Sequence, residues 1–380
     1  MPYFGITTHH GSPPIQRGGW LDALRFIVAF MIILHHFQGA APVALEQLHP
    51  VFERAGFLLT NFFLIDSGYV LARVYAERVS GGGMGHADFA RKRFTRVIPA
   101  HLIMITALAG LVLAAAAAGV APTNPQWFDW SQFPAQFFLV QSYGVPGGLG
   151  WNAPTWSISA LLGCYLVFPW VARAMVGMKP FTVLGVAIGG YAAANLATWA
   201  AFGYPVYQMP LAYGFVRALP LFLLGMGLAH FASKVFIPAR LAGWTGLLAA
   251  AALAAVQADG KHALVSLTLI SLIILAAGAI PVVKKSKLVE TAALVSFSMF
   301  ITNEVVRIAW FGAAEAATAR FGLDLAAQWG LWFAGVVAAV AFAFAFHFAI
   351  DMPLQRLLQP WTKRLGEFIG RRRAGEPKAA

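Results

Sequence analysis

Arg25 and His36 are the first residues in this 380-residue chain whose types and spacing could support a reaction. They stand eleven positions apart in "ALRFIVAFMIILHHF", an otherwise apolar run. On a helix that spacing puts them within about 20° of one face and roughly 16 Å apart along the axis. The face would carry a cation near one end and an imidazole farther along. Imidazole is the side chain best suited to take up a proton near neutral pH. His35 points some 80° away from that line and reads as a histidine bonded to a neighbouring carbonyl.

Other polar groups interrupt apolar runs in the same way. Asp66, Glu304, Asp351, Arg217 and Arg307 all do so, and ionisable residues in a lipid-spanning segment mark function by default. Glu290 is read as snorkelling from a helix end, and Arg307 fits either reading. The run "RKRFTR" supplies a basic cluster, and arginine suits bidentate contact with phosphate. Arg91 and Lys92 read as a plain interfacial anchor, whereas Arg93 and Arg96 continue into an apolar helix. The stretch "GVPGGLGWNAPTWS" has too many glycines and prolines for a regular helix. Such backbone is tolerated at membrane depth only under cover of protein or a wet cavity. It reads as a re-entrant lip over a polar site or as an outer loop. Its aromatic residues could stack on sugar rings or form an interfacial belt.

The elements that must position these residues follow from composition. The chain is 59% hydrophobic and 11% charged, with a mean hydropathy of +0.69. Soluble domains carry roughly a quarter charged residues, so the fold class is all-α, a polytopic integral membrane bundle. Apolar runs of about 20 residues predict ten transmembrane helices. They lie near 20–38, 56–75, 97–120, 155–176, 180–201, 208–231, 239–257, 262–281, 290–312 and 326–350. Alternate connections hold most of the basic residues, which places both termini in the cytoplasm and requires an even number of spans. Residues 1–19 are then a cytoplasmic N-terminal segment, 20–355 the transmembrane domain and 356–380 a basic cytoplasmic tail that can lie on anionic membrane lipid. The same rule accounts for the net charge of +12 without nucleic acid. The single cysteine, Cys164, excludes an intrachain disulfide, and no metal-ligand spacing is present, so no metal is expected. The polar first twenty residues mark the first run as a span rather than a cleaved signal.

With these elements in place, the chain resembles the membrane-bound acyltransferases of the type 3 group, which O-acylate bacterial surface and secreted carbohydrates. Their basic residue, ten intervening residues and histidine correspond to Arg25 and His36. "FFLIDSGYVL" is similar to an aromatic run followed by Ser-Gly-aromatic, at Ser67, Gly68 and Tyr69. "RFTRVIP" resembles Arg-x-x-Arg-x-x-Pro, and "WNAPTWSIS" resembles Asn-x-Pro-x-Trp-Ser, followed by "YLVFP". "SFSMFITN" and "AIDMPLQRL" resemble the elements near the end of the domain, so the six motifs run in order over nearly the whole chain.

The resemblance implies a donor, a cytoplasmic acyl-CoA (acetyl-CoA foremost), whose phosphates dock on Arg93 and Arg96, with Arg25 and Ser67 nearby. It implies that His36 deprotonates a hydroxyl of a carbohydrate or lipid-linked oligosaccharide acceptor at the outer face, such as an exopolysaccharide unit. Arg25, Asn152 and Ser157 would stabilise the oxyanion. Trp151, Trp156, Tyr69 and Asn303 would line the acceptor site. The location implied is the bacterial cytoplasmic membrane.

The chain also departs from the pattern. Leu161 stands where a glutamate is usual, Asn303 where a histidine is usual, and Asn61 where an acidic residue is common. Asp66 occupies a usually apolar position, and Asp351 replaces a glutamate. Asp66 is therefore expected to stand in for the carboxylate missing at Leu161. Two other classes stay open: a catalytically weakened homologue that binds acyl-CoA or a lipid-linked sugar, and a transporter. Against a transporter stands the absence of an internal repeat.

Overall fold

The computed structural model describes residues 11, 16–45, 51–122, 124–145, 150–259, 263–358 and 360, with the backbone alone at 51–58 and 258–259. The helices are α1 Trp20–Phe37, α2 Val51–Ser80, α3 His86–Ala117, α4 Phe133–Phe137, α5 Trp156–Met175, α6 Pro180–Phe202, α7 Gly214–Lys234, α8 Ala239–Asp259, α9 Ala263–Ala279, α10 Lys287–Phe321 and α11 Leu325–Phe346. All but the short α4 fall on the apolar runs of the sequence. Eight of the described helices are long and apolar enough to cross a bilayer. The other two are α2, which carries Asp66, Arg73, Glu77 and Arg78, and α9, which has 17 residues. Most of the N-terminal segment and of the basic tail lies outside the described residues.

Several bounds differ from the hydropathy reading, because helices extend past the hydrocarbon into polar residues that hydropathy does not score. α3 begins at His86, so the "RKRFTR" run lies on its first turns rather than ahead of it. α10 runs on to Phe321, with Gly322 at φ +62° closing it in the left-handed conformation that favours glycine. α7 starts at Gly214, after two short 3-10 turns that separate it from α6.

Packing centres on α2. A Cβ on Gly68 would come within 2.0 Å of the Phe222 carbonyl oxygen, and one on Gly225 within 2.0 Å of that of Ile65. The two glycines thus let α2 and α7 touch backbone to backbone, the usual means of helix association in lipid. Tyr69, fully buried, fills the space beside Gly278 of α9. α1 packs on α10, and the Trp332 indole of α11 donates to the Phe37 carbonyl at 2.9 Å, satisfying an end of α1. By contrast α6 and α8 display Ile188, Leu196, Trp199, Leu241, Trp244 and Leu248 on the exterior, as lipid-facing helices do.

Between α3 and α5 the chain is mostly irregular, and buried at Gln141, Ser142, Trp151, Asn152 and Thr155. Trp151 has φ +56° and a 3-10 turn spans Ala153–Thr155, so no regular helix forms before Trp156; residues 146–149 of this stretch are outside those described. The Ser142 and Ser159 hydroxyls donate to the Trp156 and Leu139 carbonyls at 2.6 Å each, and Tyr143 donates to Ser159 at 2.7 Å. Side chains here do for the main chain what a helix would do for itself.

Candidate active site

Arg25 and His36 of the first span meet partners on two different helices. At its start, Arg25 Nε donates to Asp66 Oδ2 at 2.7 Å, and Asp22 Oδ1 lies 3.6 Å from the guanidinium. Asp66 is 2% exposed and its other oxygen has no partner. The carboxylate facing Arg25 therefore comes from α2. Leu161, at the position where one is usual, sits in the apolar core with Leu64 and Ile65.

About three turns on from Arg25, His36 Nδ1 lies 2.7 Å from Asn303 Oδ1. The amide nitrogen of Asn303 already donates to the Met299 and Phe300 carbonyls, at 3.0 and 2.6 Å. Its oxygen must accept, so a neutral His36 carries its proton on Nδ1 and keeps the Nε2 lone pair available. Asn303, expected to line the acceptor site, thus meets the imidazole directly. His35 turns aside and meets the Gln38 amide at 3.3 Å. One position past Asn303, Glu304 forms a two-point ion pair with Arg307, at 2.6 and 2.9 Å, and the Arg307 guanidinium lies 5.3 Å above the Trp127 ring. Arg307 is thus paired within the bundle; the i,i+3 spacing of the two charges was the available signal.

The irregular segment closes on this level of the bundle. Asn152, fully buried, donates to the Ile301 carbonyl at 3.1 Å and leaves its own amide oxygen without a partner. Ser157 is turned back on the Pro154 carbonyl at 3.3 Å. Trp151 is 1% exposed, donates to the Asp129 carbonyl at 2.9 Å, and is boxed in by Phe128, Trp130 and Phe133. Trp156 is buried beneath the Arg217 guanidinium at 5.2 Å. Neither tryptophan offers a ring face to a sugar, and Tyr69 packs between helices. These three aromatics hold the scaffold. Sequence could not show it, because stacking on a sugar and stacking in a core need the same residue types.

At the other end of the bundle, the arginines of α3 meet distant partners. Arg93 donates to the Tyr75 hydroxyl at 3.0 Å, with its guanidinium 5.0 Å from that ring. Arg96 binds both oxygens of Asp351, at 2.8 and 2.9 Å, and covers the Phe297 ring. Asp351 closes a π-helical turn, His347–Asp351, in which the His347 imidazole lies 3.2 Å from the carboxylate. Pro99 has no N–H to offer the Thr95 carbonyl four residues back. Gln355 supplies the missing donor at 3.0 Å and also reaches the Arg96 carbonyl at 3.3 Å. Two motifs some 255 residues apart in the sequence are therefore halves of one structure. Ser67 is half-buried beside Asp66. The buried His101, which meets the Gln136 carbonyl at 3.0 Å, ties α4 to α3; nothing in its sequence context announced it.

The fold and this polar column define an integral membrane protein built as a helical bundle. Residues 19–348 match the profile of the acyltransferase domain of family 3, and the chain belongs to that family. It is similar to the acyltransferase MdmB of Streptomyces mycarofaciens, 29% identical over 164 residues, which cover 41% of this chain and 40% of that protein. It is also similar to protein 2 of the picA locus of Rhizobium radiobacter, 26% identical over 189 residues, or 47% of this chain and 92% of the relative. The chain thus spans about two-fifths of the length of the first of these relatives. No solved structure matches it.

Proposed function

We propose that this membrane acyltransferase takes an acyl group, acetyl foremost, from cytoplasmic acyl-CoA and transfers it to a hydroxyl of a carbohydrate or glycolipid at the extracytoplasmic face of the bacterial inner membrane. The observation that carries the reading is the His36–Asn303 hydrogen bond at 2.7 Å, which leaves Nε2 free as a base. His36 Nε2 takes the hydroxyl proton while the oxygen attacks the thioester carbonyl. The tetrahedral intermediate carries an oxyanion that needs preorganised donors. Asn152 lies at this level and spends one amide hydrogen on Ile301, so its second hydrogen is a candidate. Collapse breaks the carbon–sulfur bond, and the CoA thiolate takes the proton back from the imidazolium.

Arg93 and Arg96 on one helix, with the Arg96 side chain partly exposed, support docking of the CoA phosphates on the opposite side of the bundle. The Arg25–Asp66 contact supports the idea that Asp66 replaces the usual glutamate, since it supplies a buried carboxylate to the same guanidinium. The test is incubation of the purified chain with radiolabelled acetyl-CoA and a glycolipid acceptor, with His36→Ala as control. Transfer that requires His36 supports the enzyme. Transfer that persists without it removes the base, and absence of transfer from the unaltered chain favours a binding homologue or a carrier.

A further inference from the structure

The backbones of α2 and α7 touch at Gly68 and Gly225, but from Ala72 and Ala229 onward a cavity of about 770 Å³ opens between them. It lies at the end of the bundle that carries the basic connections. Its walls are small or apolar, with Ala72 and Ala76 of α2, Ala172 and Met175 of α5, Ala229 of α7 and Ala279 of α9. Ala72, Ala76 and Ala229 continue the rows that start at the two glycines, so no large side chain fills the wedge. Charge returns at the rim, where Arg73 and Lys234 stand with one carboxylate among the described residues, Glu77. Val176 and Phe236, both exposed, also line the cavity and give it an apolar mouth suited to entry from a bilayer.

This cavity is separate from the site proposed for the donor. Arg93, Arg96 and His36 do not line it. On α2, Arg73 also points about 160° away from Tyr75, the residue that Arg93 meets. We propose that the cavity binds one anionic phospholipid. Its phosphodiester sits on Arg73 and Lys234, its acyl chains run along the alanine walls, and its head carries hydroxyl groups. Charge complementarity is the first support, since two cations against one carboxylate leave the lining positive. Basic pockets between spanning helices take anionic head groups for that reason. The hydrogen-bond inventory is the second. Ser80 and Ser233 donate their hydroxyl hydrogens to the Glu77 and His230 carbonyls, at 3.2 and 2.8 Å. Both oxygens are left as acceptors, as are those of the Glu77 carboxylate, so the head must bring donors as well as negative charge. A glycerol phosphodiester brings both. A choline head has no donor, and a free phosphate leaves the apolar walls uncovered.

The test is native mass spectrometry of the full-length chain released from detergent after incubation with phosphatidylglycerol, phosphatidylcholine or phosphatidylethanolamine. One phosphatidylglycerol should be retained per chain. Arg73→Gln with Lys234→Gln should weaken its retention about thirtyfold, the share expected of two basic side chains against an anionic lipid. Arg78→Gln, which removes a cation of the same helix that does not line the cavity, should change it by less than about twofold. A second variant, Ala76→Leu, keeps every charge and fills the wedge; leucine is nearly as good a helix former as alanine, so α2 is expected to form. It should expel the lipid as well. Thermal unfolding of each variant in detergent checks that the fold is intact. Three results would overturn the proposal: equal retention of either zwitterionic lipid, retention unchanged in the double variant or in Ala76→Leu, and displacement of the lipid by CoA or inorganic phosphate, which would mark a site for a soluble anion.

Discussion

Arg96 and Asp351 lie 255 residues apart in sequence and meet at 2.8 Å. This contact joins α3 to the turn after α11, and the Gln355–Thr95 hydrogen bond one turn further on reinforces it. The arginine expected to dock a phosphate is thus held by a carboxylate. Asp351 is 1% exposed and the Arg96 side chain 31%, so the cation keeps an open side from which a ligand can approach.

Breaking that pair from the carboxylate side is expected to cost stability. Removing one partner of a buried ion pair costs about 3–5 kcal/mol, and the partial exposure of Arg96 argues for the lower end. Asp351→Ala should therefore lower thermal stability in detergent markedly, and Arg96→Ala less. In a double-mutant cycle the pair should show coupling of roughly 1–3 kcal/mol. Additive losses would mean that the contact carries no energy. Calorimetric titration of CoA should show weaker binding in Arg96→Ala; unchanged affinity would remove its docking role.

His36→Ala is expected to lower acetyl transfer by about two to four orders of magnitude, the usual contribution of a general base. His35→Ala should be far milder. Asn303→Ala removes the acceptor that fixes the proton on Nδ1, so turnover should fall while CoA affinity, measured by calorimetry, stays unchanged. Equal activities in the His35 and His36 variants would refute the assignment.

Asp66→Asn should be nearly as damaging as His36→Ala. Replacing Arg25 and Asp66 together by methionine should restore much of the stability lost in either single variant without restoring activity, since a buried pair can be exchanged for apolar groups at little cost. Introducing Leu161→Glu into Asp66→Leu tests whether the two positions share one role. Wild-type turnover in Asp66→Asn would leave the carboxylate with a purely structural part.

Gly68→Ala and Gly225→Ala should each force α2 and α7 apart, because their added methyls meet backbone rather than a movable side chain. Losses of a few kcal/mol are expected, as for other overpacked cores. Gly312→Ala is the control; it should be neutral or stabilising by up to about 1 kcal/mol. Thermal unfolding in detergent followed by circular dichroism distinguishes the two cases.

Sequence alone determined the long helices, the shared face of Arg25 and His36 and the order of the motifs, because each depends on local composition or on the 3.6-residue period. The period says which residues share a helix face but not which helix that face will meet. Only the tertiary structure decided that Asp66 reaches Arg25, that Asp351 reaches Arg96, and that Asn303 meets His36. Those pairings depend on how the helices rotate and approach one another. That is set by close contacts such as Gly68 and Gly225 across α2 and α7, whose spacing in the chain carries no trace of the encounter. Trp151 makes the same point: its residue type fits a binding platform as well as a core, and burial among three aromatic rings made it core.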